Sequence, residues 1–79
     1  MARVLLFGPL RDLAGWRERE VAVTSVEGLR AALAAEDVAL GEALLGPGVQ
    51  VAIDQTLVRG DAAIASGAEV AFLPPMSGG

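Results

Sequence analysis

The sequence predicts one small α+β domain: a mixed sheet of four to five strands with one main helix packed on one face. A chain of 79 residues has room for a single core. Five short segments show strand-like runs, most of them ending near glycine, proline or aspartate, and one longer segment shows a helical stripe of apolar residues. The predicted order is therefore β-β-α-turn-β-β-β. Because one main helix covers only one face of such a sheet, we expect part of the other face to be exposed.

The first strand is predicted from Arg3 to Phe7, where a continuous apolar run ends at Gly8-Pro9. We expect the next segment, from Leu10 to Trp16, to be a loop or a single turn, with Trp16 anchored at the edge of the core. Polar and apolar residues alternate from Glu18 to Val23, which predicts a second, half-buried strand antiparallel to the first.

The main helix is predicted from Ser25 to Glu36. Thr24 stands three residues before Glu27, which is the spacing of a capping box, and the apolar residues that follow recur at helical intervals. The segment from Asp37 to Leu45 is compatible with a short second helix or with a packed loop, and the sequence leaves both open. The apolar stripe of the main helix consists of Val26, Leu29 and Leu33.

Three strands are predicted in the second half of the chain, at residues 49–53, 56–58 and 69–73, with a turn at Asp54-Gln55 between the first two. The first and last strands of the chain look apolar on both sides. Some of their side chains should therefore lie on the uncovered face of the sheet, where an exposed apolar patch indicates a protein interface. The candidates are Leu5, Phe7, Leu57, Val58 and Leu73.

Composition excludes several classes of function. The chain carries a net charge of −4 and has no lysine, cysteine or histidine, so thiol, imidazole and zinc chemistry of the usual kinds are absent. An acidic chain is a poor ligand for nucleic acid. Neither a signal peptide nor a membrane span is visible, and we expect a cytoplasmic protein.

The C-terminal segment is the most unusual part of the chain. We expect a domain over residues 1–73 and a flexible tail over residues 74–79, in which Pro74-Pro75 ends the strand and Met76-Ser77 leads to Gly78-Gly79. Such small residues at a terminus are often without function. A carboxylate flanked only by glycine can, however, enter a narrow channel that any Cβ would block.

No catalytic constellation is visible elsewhere. The serines have no base beside them, and the acidic residues Asp54, Asp61 and Glu69 lie near turns, where they are common. We expect no bound cofactor and no metal. The carboxylate of Gly79 is thus the one candidate for chemistry, and it requires activation, most simply as a mixed anhydride with AMP that another enzyme makes from ATP.

Three motifs resemble those of the small, sulfur-carrying subunits of molybdopterin synthase (the MoaD type), a ubiquitin-like β-grasp family that also includes the thiazole-pathway carrier ThiS. They are residues 4–15 (VLLFGPLRDLAG), 51–58 (VAIDQTLV) and 67–79 (GAEVAFLPPMSGG). Asp54 stands where the family more often has asparagine, and Ala68 replaces an acidic residue. The proline pair after Leu73 favours the molybdopterin type over the thiazole type.

The resemblance implies a β-grasp fold, in which the first and last strands are parallel and adjacent, and a non-catalytic role within a synthase. An E1-like enzyme would adenylate Gly79, a sulfurtransferase would convert it to a thiocarboxylate, and the large synthase subunit would use the sulfur on cyclic pyranopterin monophosphate. The family assembly is a heterotetramer. By position, the residues facing the partner would be Phe7, Arg11, Leu57 and Leu73, although Arg11 is equally compatible with a solvated loop.

Two other functions fit the same tail. The chain could be a ubiquitin-like modifier whose Gly79 is joined to lysines of other proteins, or a sulfur carrier for thiamine-thiazole synthesis. A plain binding module with an incidental glycine end is the third alternative.

Overall fold

The computed structural model describes residues 1–75 and contains five strands and three helices. Strand positions agree with the prediction to within two residues at each end. In chain order the elements are β1 (Ala2–Leu6), α1 (Gly8–Ala14), β2 (Glu18–Val21), α2 (Val26–Glu36), α3 (Val38–Leu44), β3 (Gln50–Ile53), β4 (Thr56–Val58) and β5 (Glu69–Leu73).

The five strands form one mixed sheet in the order β2-β1-β5-β3-β4. The first and last strands of the chain, β1 and β5, are parallel neighbours at the centre, as the resemblance implied. Every other pairing is antiparallel. A parallel pair needs a long crossover, and here the crossover contains all the other elements of the chain.

All three helices contribute to one apolar core on one face of the sheet. Leu10 of α1, Leu29 and Leu33 of α2, and Leu40 and Leu44 of α3 are almost fully buried. They pack with the inward residues of the strands, and no polar or charged residue is buried among residues 1–75. The single main helix is thus α2, supplemented by two helices of seven residues each.

The segment after β1 is a helix, so the prediction of a loop or single turn from Leu10 to Trp16 was wrong. Pro9 lies in the first turn of α1, where a missing N–H is harmless, and Gly15 ends the helix in the left-handed conformation. Gly8-Pro9 therefore ends the strand and also starts a helix. Trp16 lies half-buried against the core, as expected.

The residue that caps α2 is Ser25, which corrects the capping box predicted at Thr24. The Ser25 hydroxyl accepts a hydrogen bond of 3.0 Å from the amide of Gly28. The segment left open after Glu36 is helix α3, because the Asp37 carboxylate accepts from the amide of Leu40 and thereby caps a new helix. Gly41 lets α3 approach α2 closely, since a Cβ there would overlap Ala34.

Candidate docking face and tail base

The strand register sorts the residues of the sheet into two faces. Val4, Val70 and Phe72 point towards the helices and are fully buried. On the opposite face, Leu5 of β1 is level with Ala71 of β5, Ala71 with Ala52 of β3, and Ala52 with Leu57 of β4. An apolar row therefore crosses four strands on the uncovered face; we call the row, together with Phe7 and Leu73, the docking face.

The docking face has small residues at its centre and large ones at its margins. Ala52 and Ala71 are each only 7% exposed, yet neither belongs to the core cluster on the helix side. Leu57, at the margin, is 57% exposed. The row spans three strand spacings, or about 14 Å. Its centre is thus a shallow apolar depression, the shape that accepts side chains from another protein.

An ionic cluster borders the docking face at the start of β1. The guanidinium of Arg3 lies 2.8 Å from Glu69 and 3.7 Å from Glu18. The hydrogen bond to Glu69 and the nearby carboxylates raise the pKa of Arg3. The Asp54 carboxylate accepts from the amide of Glu69, so this turn residue has a structural role. The charged groups at this end leave the opposite end, where β5 exits, as the apolar part of the face.

Phe7 and Arg11 lie at that apolar end. Phe7 is 44% exposed and has extended backbone angles, so it continues the alternation of Leu5 onto the docking face. Arg11 is exposed on α1, and its Nε lies 3.7 Å from the Asp12 carboxylate. The two residues line one cavity of about 280 Å³ together with Leu5, Arg17 and Glu18, so its wall is partly apolar and partly charged. A partner side chain could enter this cavity beside the sheet.

The proline pair at the base of the tail lies between two glycines. A Cβ on Gly8 would stand 3.3 Å from Pro74, and a Cβ on Gly48 would stand 2.8 Å from Pro75. Both glycines have positive φ, at 55° and 85°, a region that other residues rarely adopt. The start of the tail is therefore positioned by turns from two distant parts of the chain.

The structure places the predicted site residues as follows. Phe7, Leu57 and Leu73 share the docking face, and Arg11 lies beside it. Val58 does not belong to it, because it is level with Val51 and packs against the core on the helix side. Pro74 and Pro75 form the tail base, whereas Met76, Ser77, Gly78 and Gly79 lie outside the described residues.

Sequence reasoning missed the residues that complete the site. Ala52 and Ala71 form the floor of the docking face, and Gly8 and Gly48 contact the proline pair. The strand alternation contained a signal for the alanines, since Ala71 stands two positions from Leu73, and Ala52 lies between Val51 and Ile53, which face the core. No local signal identifies the glycines, because their role depends on contacts with residues far along the chain.

The described residues contain little chemistry of their own. In residues 1–75 there is no group of three or more acidic residues placed to hold a metal ion. No helix in the same range is long and apolar enough to cross a membrane. The arrangement is suited to binding an apolar surface next to the proline pair that precedes the tail.

A mixed five-stranded sheet with parallel first and last strands and a crossing helix defines a ubiquitin-like β-grasp domain. The sequence profile of the ThiS family matches residues 4–79. The chain belongs to the ThiS family.

Three comparisons describe its relatives. The chain is 41% identical over 81 aligned positions to the molybdopterin synthase sulfur carrier subunit of Escherichia coli K12, with both chains covered fully. It superposes on the crystal structure of SAMP1 from Haloferax volcanii with a TM-score of 0.84 and 29% identity, covering 99% and 98% of the chains. A complex of subunits 1 and 2 of molybdopterin-converting factor from Helicobacter pylori matches with a TM-score of 0.72 and 22% identity, covering 99% and 97%, which supports the fold alone.

Proposed function

We propose that this protein is the sulfur-carrier subunit of a molybdopterin synthase and that the carboxylate of Gly79 is the group that carries sulfur. The observation with most weight is the full-length identity of 41% to a relative of that name. The fold supports it independently, because the proline pair that precedes the tail is held against Gly8 and Gly48, next to an apolar face of the sheet.

The chemistry on Gly79 proceeds in three steps. A carboxylate oxygen attacks the α-phosphorus of ATP on an E1-like enzyme, and pyrophosphate leaves. A persulfide on a sulfurtransferase then attacks the acyl carbon, and AMP leaves. Finally, a thiol attacks the sulfurtransferase sulfur of the resulting acyl disulfide, so that a new disulfide forms on the sulfurtransferase and the thiocarboxylate leaves. A carboxylate is a poor electrophile at neutral pH, so adenylation supplies the leaving group that the second step needs.

The docking face binds the large subunit in this proposal. Its apolar depression is continuous with the tail base through Leu73, so docking places the tail at a fixed position on the partner. The large subunit then supplies the groups that act on cyclic pyranopterin monophosphate. This division of labour agrees with a carrier that offers a thin segment and no acid–base residues.

The test of carrier chemistry is intact-mass analysis after incubation with the activating enzyme, ATP and a sulfur donor. We expect the mass increase of one oxygen replaced by sulfur, located at the C-terminal peptide. A variant that lacks Gly78 and Gly79 is the matched control; it should fold normally and acquire no sulfur. No mass change in the full-length chain would reject the proposed chemistry.

The test of docking uses Phe7→Asp and Leu73→Asp in a pull-down with the large subunit. Phe7 is the N-cap of α1, a position that favours aspartate, so Phe7→Asp should leave the fold intact. We expect both variants to bind at least about tenfold more weakly, a loss of about 1.4 kcal/mol. The control is Val38→Asp, an exposed residue at the start of α3. Equal affinity of all the variants would reject the proposed face.

A second function is favoured by the similarity to SAMP1, which is named a small archaeal modifier protein and shares 29% of its residues with this chain in the Haloferax structure. In that case Gly79 would be joined by an isopeptide bond to lysines of other proteins. The same mass analysis separates the two, because conjugation gives persistent adducts on target proteins. The chain has no lysine, so it cannot be its own acceptor through a side chain.

A further inference from the structure

A second cavity, which borders the docking face at Leu57, contains two arginines. It has a volume of about 380 Å³ and lies between α2 and the edge formed by β3 and β4. Arg30 of α2 and Arg59, directly after β4, both line it, and Gly48 and Gln50 form the wall nearest the tail base. Cavities of this size accommodate small ligands.

Arg30 has a buried donor that nothing in residues 1–75 satisfies. Its side chain is 19% exposed, and its Nε has no hydrogen-bond acceptor among these residues. Its Nη1 lies 3.7 Å from the Glu27 carboxylate, which is an ion-pair distance but too long for a hydrogen bond. A buried donor without an acceptor is unfavourable, and because Arg30 lines the cavity, a small shift of its side chain would let an acceptor in the cavity satisfy this donor.

Arg59 supplies the second positive charge. Within the described part of the chain, no carboxylate lies at ion-pair distance from its guanidinium. Two acidic residues are close in sequence or space to the arginines, Glu27 and Asp61. The Asp61 Oδ1 already accepts hydrogen bonds of 3.0 Å from the amide of Glu27 and 2.9 Å from that of Ala62, so it faces the backbone at the start of α2.

We propose that the Arg30–Arg59 cavity is a binding site for an oxyanion, a carboxylate or a phosphate. Planar guanidinium groups bind both with paired, charge-assisted hydrogen bonds. The two arginines take no part in the proposed sulfur transfer, so the site can be tested whether or not Gly79 carries sulfur.

One source of the oxyanion is the carboxylate of Gly79 in the same chain. Pro75 packs on Gly48, and Gly48 lines the arginine cavity as well. The four residues after Pro75 reach at most about 14 Å. The strand that leads to Arg59 is two strand spacings from β5, or about 10 Å. The other source is free phosphate or a phosphate-bearing ligand.

The experiment compares two forms of the full chain, one with the natural carboxylate and one with a C-terminal amide made by semisynthesis. The readout is the NMR signals of the arginine Nε–Hε groups, recorded while inorganic phosphate is added at constant ionic strength. If the tail carboxylate occupies the site nine-tenths of the time, amidation shifts the Arg30 and Arg59 signals and tightens phosphate binding about tenfold. If the ligand is a free oxyanion, both forms bind phosphate equally. Either result supports the site.

Variants decide whether the cavity itself causes the signal shifts and binds the phosphate. Arg59→Gln should abolish the shifts and the phosphate binding without disturbing the core, because Arg59 is exposed. Arg17→Gln is the matched control, since Arg17 is also exposed and does not line this cavity. The proposal is overturned if neither amidation nor phosphate moves the Arg30 and Arg59 signals, or if Arg17→Gln reduces phosphate binding as much as Arg59→Gln does.

Discussion

The two faces of the sheet are built from alternate residues of the same strands, yet they follow different physical rules. On the helix side, Val4, Val70 and Phe72 are sealed under three helices. On the docking face, alanines form the floor and Leu57 remains mostly in water. The covered face supplies folding energy, whereas the docking face retains apolar area that a partner can bury. Substitutions can therefore separate stability from binding.

The largest effect on stability is expected from the covered face. Phe72→Ala should lower the free energy of unfolding by about 3–5 kcal/mol, because it removes a fully buried ring and leaves a cavity. Leu57→Ala, on the other face, should change it by less than about 0.5 kcal/mol. Urea denaturation measures both. Similar losses for the two variants would contradict the division between the faces.

The next effect concerns binding. Leu57→Asp should weaken binding to the large subunit by about 2 kcal/mol, the size typical of an interface hot spot, while unfolding stays close to that of the unchanged chain. Titration calorimetry gives the affinity. Val38→Asp, more exposed still but on the helical side, is the control and should bind normally. A loss confined to Val38→Asp would place the interface on the helices.

A smaller effect is expected at the tail base. Gly48→Ala should destabilise the fold by about 1–2 kcal/mol because of its positive φ. It should also displace Pro75, because the new Cβ would stand 2.8 Å from it. Gly67→Ala is a matched control with φ of 83° and nothing within 4 Å of its Cβ. Only Gly48→Ala should slow sulfur loading of Gly79, measured by intact mass; equal rates would show that the proline contact is unimportant.

The smallest effect concerns the acid limb of the pH–stability curve, the range in which the free energy of unfolding falls as the pH is lowered. The guanidinium of Arg19 holds the pKa of Glu36 below its usual range through hydrogen bonds of 3.0 and 3.1 Å. The folded chain therefore binds this proton less readily than the unfolded chain does. The contribution is present above the ordinary carboxyl pKa and is lost as the pH falls through the lowered one.

Glu36→Gln should flatten that limb slightly, with little change at neutral pH, because the pair is exposed to solvent. Thermal unfolding between neutral and acidic pH measures this. Glu42→Gln, also an exposed acid, is the control. An acid limb identical to that of the unchanged chain would show that the ion pair contributes nothing.

Local patterns predicted most of the secondary structure. Three of the five strand runs ended directly at glycine, proline or aspartate, and the stripe of Val26, Leu29 and Leu33 identified α2. The prediction was wrong for α1, because Gly8-Pro9 ends a strand and also begins a helix, and only the docking of Leu10 in the core decides between the two. The N-cap of α2 is Ser25, one residue after the predicted Thr24, because the Ser25 hydroxyl accepts the hydrogen bond from the amide of Gly28.

By itself, the sequence determined the class of function. It excluded thiol, imidazole and lysine chemistry, and it contained the motifs of the family to which the chain belongs. It also indicated that part of the sheet would be exposed, since one main helix cannot cover two faces. These properties follow from residue types and from short-range periodicity, which the chain carries before it folds.

Only the tertiary structure decided which residues share a surface. Leu5 and Leu57 lie in one row on the same face because the pairing of β1, β5, β3 and β4 aligns them. Val58 lies on the other face because successive residues of a strand point to opposite faces. Gly8 and Gly48 contact the proline pair, and Arg30 and Arg59 share a cavity, across long sequence separations. Such contacts form only when β1 and β5, the first and last strands, pair in parallel, and no local sequence pattern encodes that pairing.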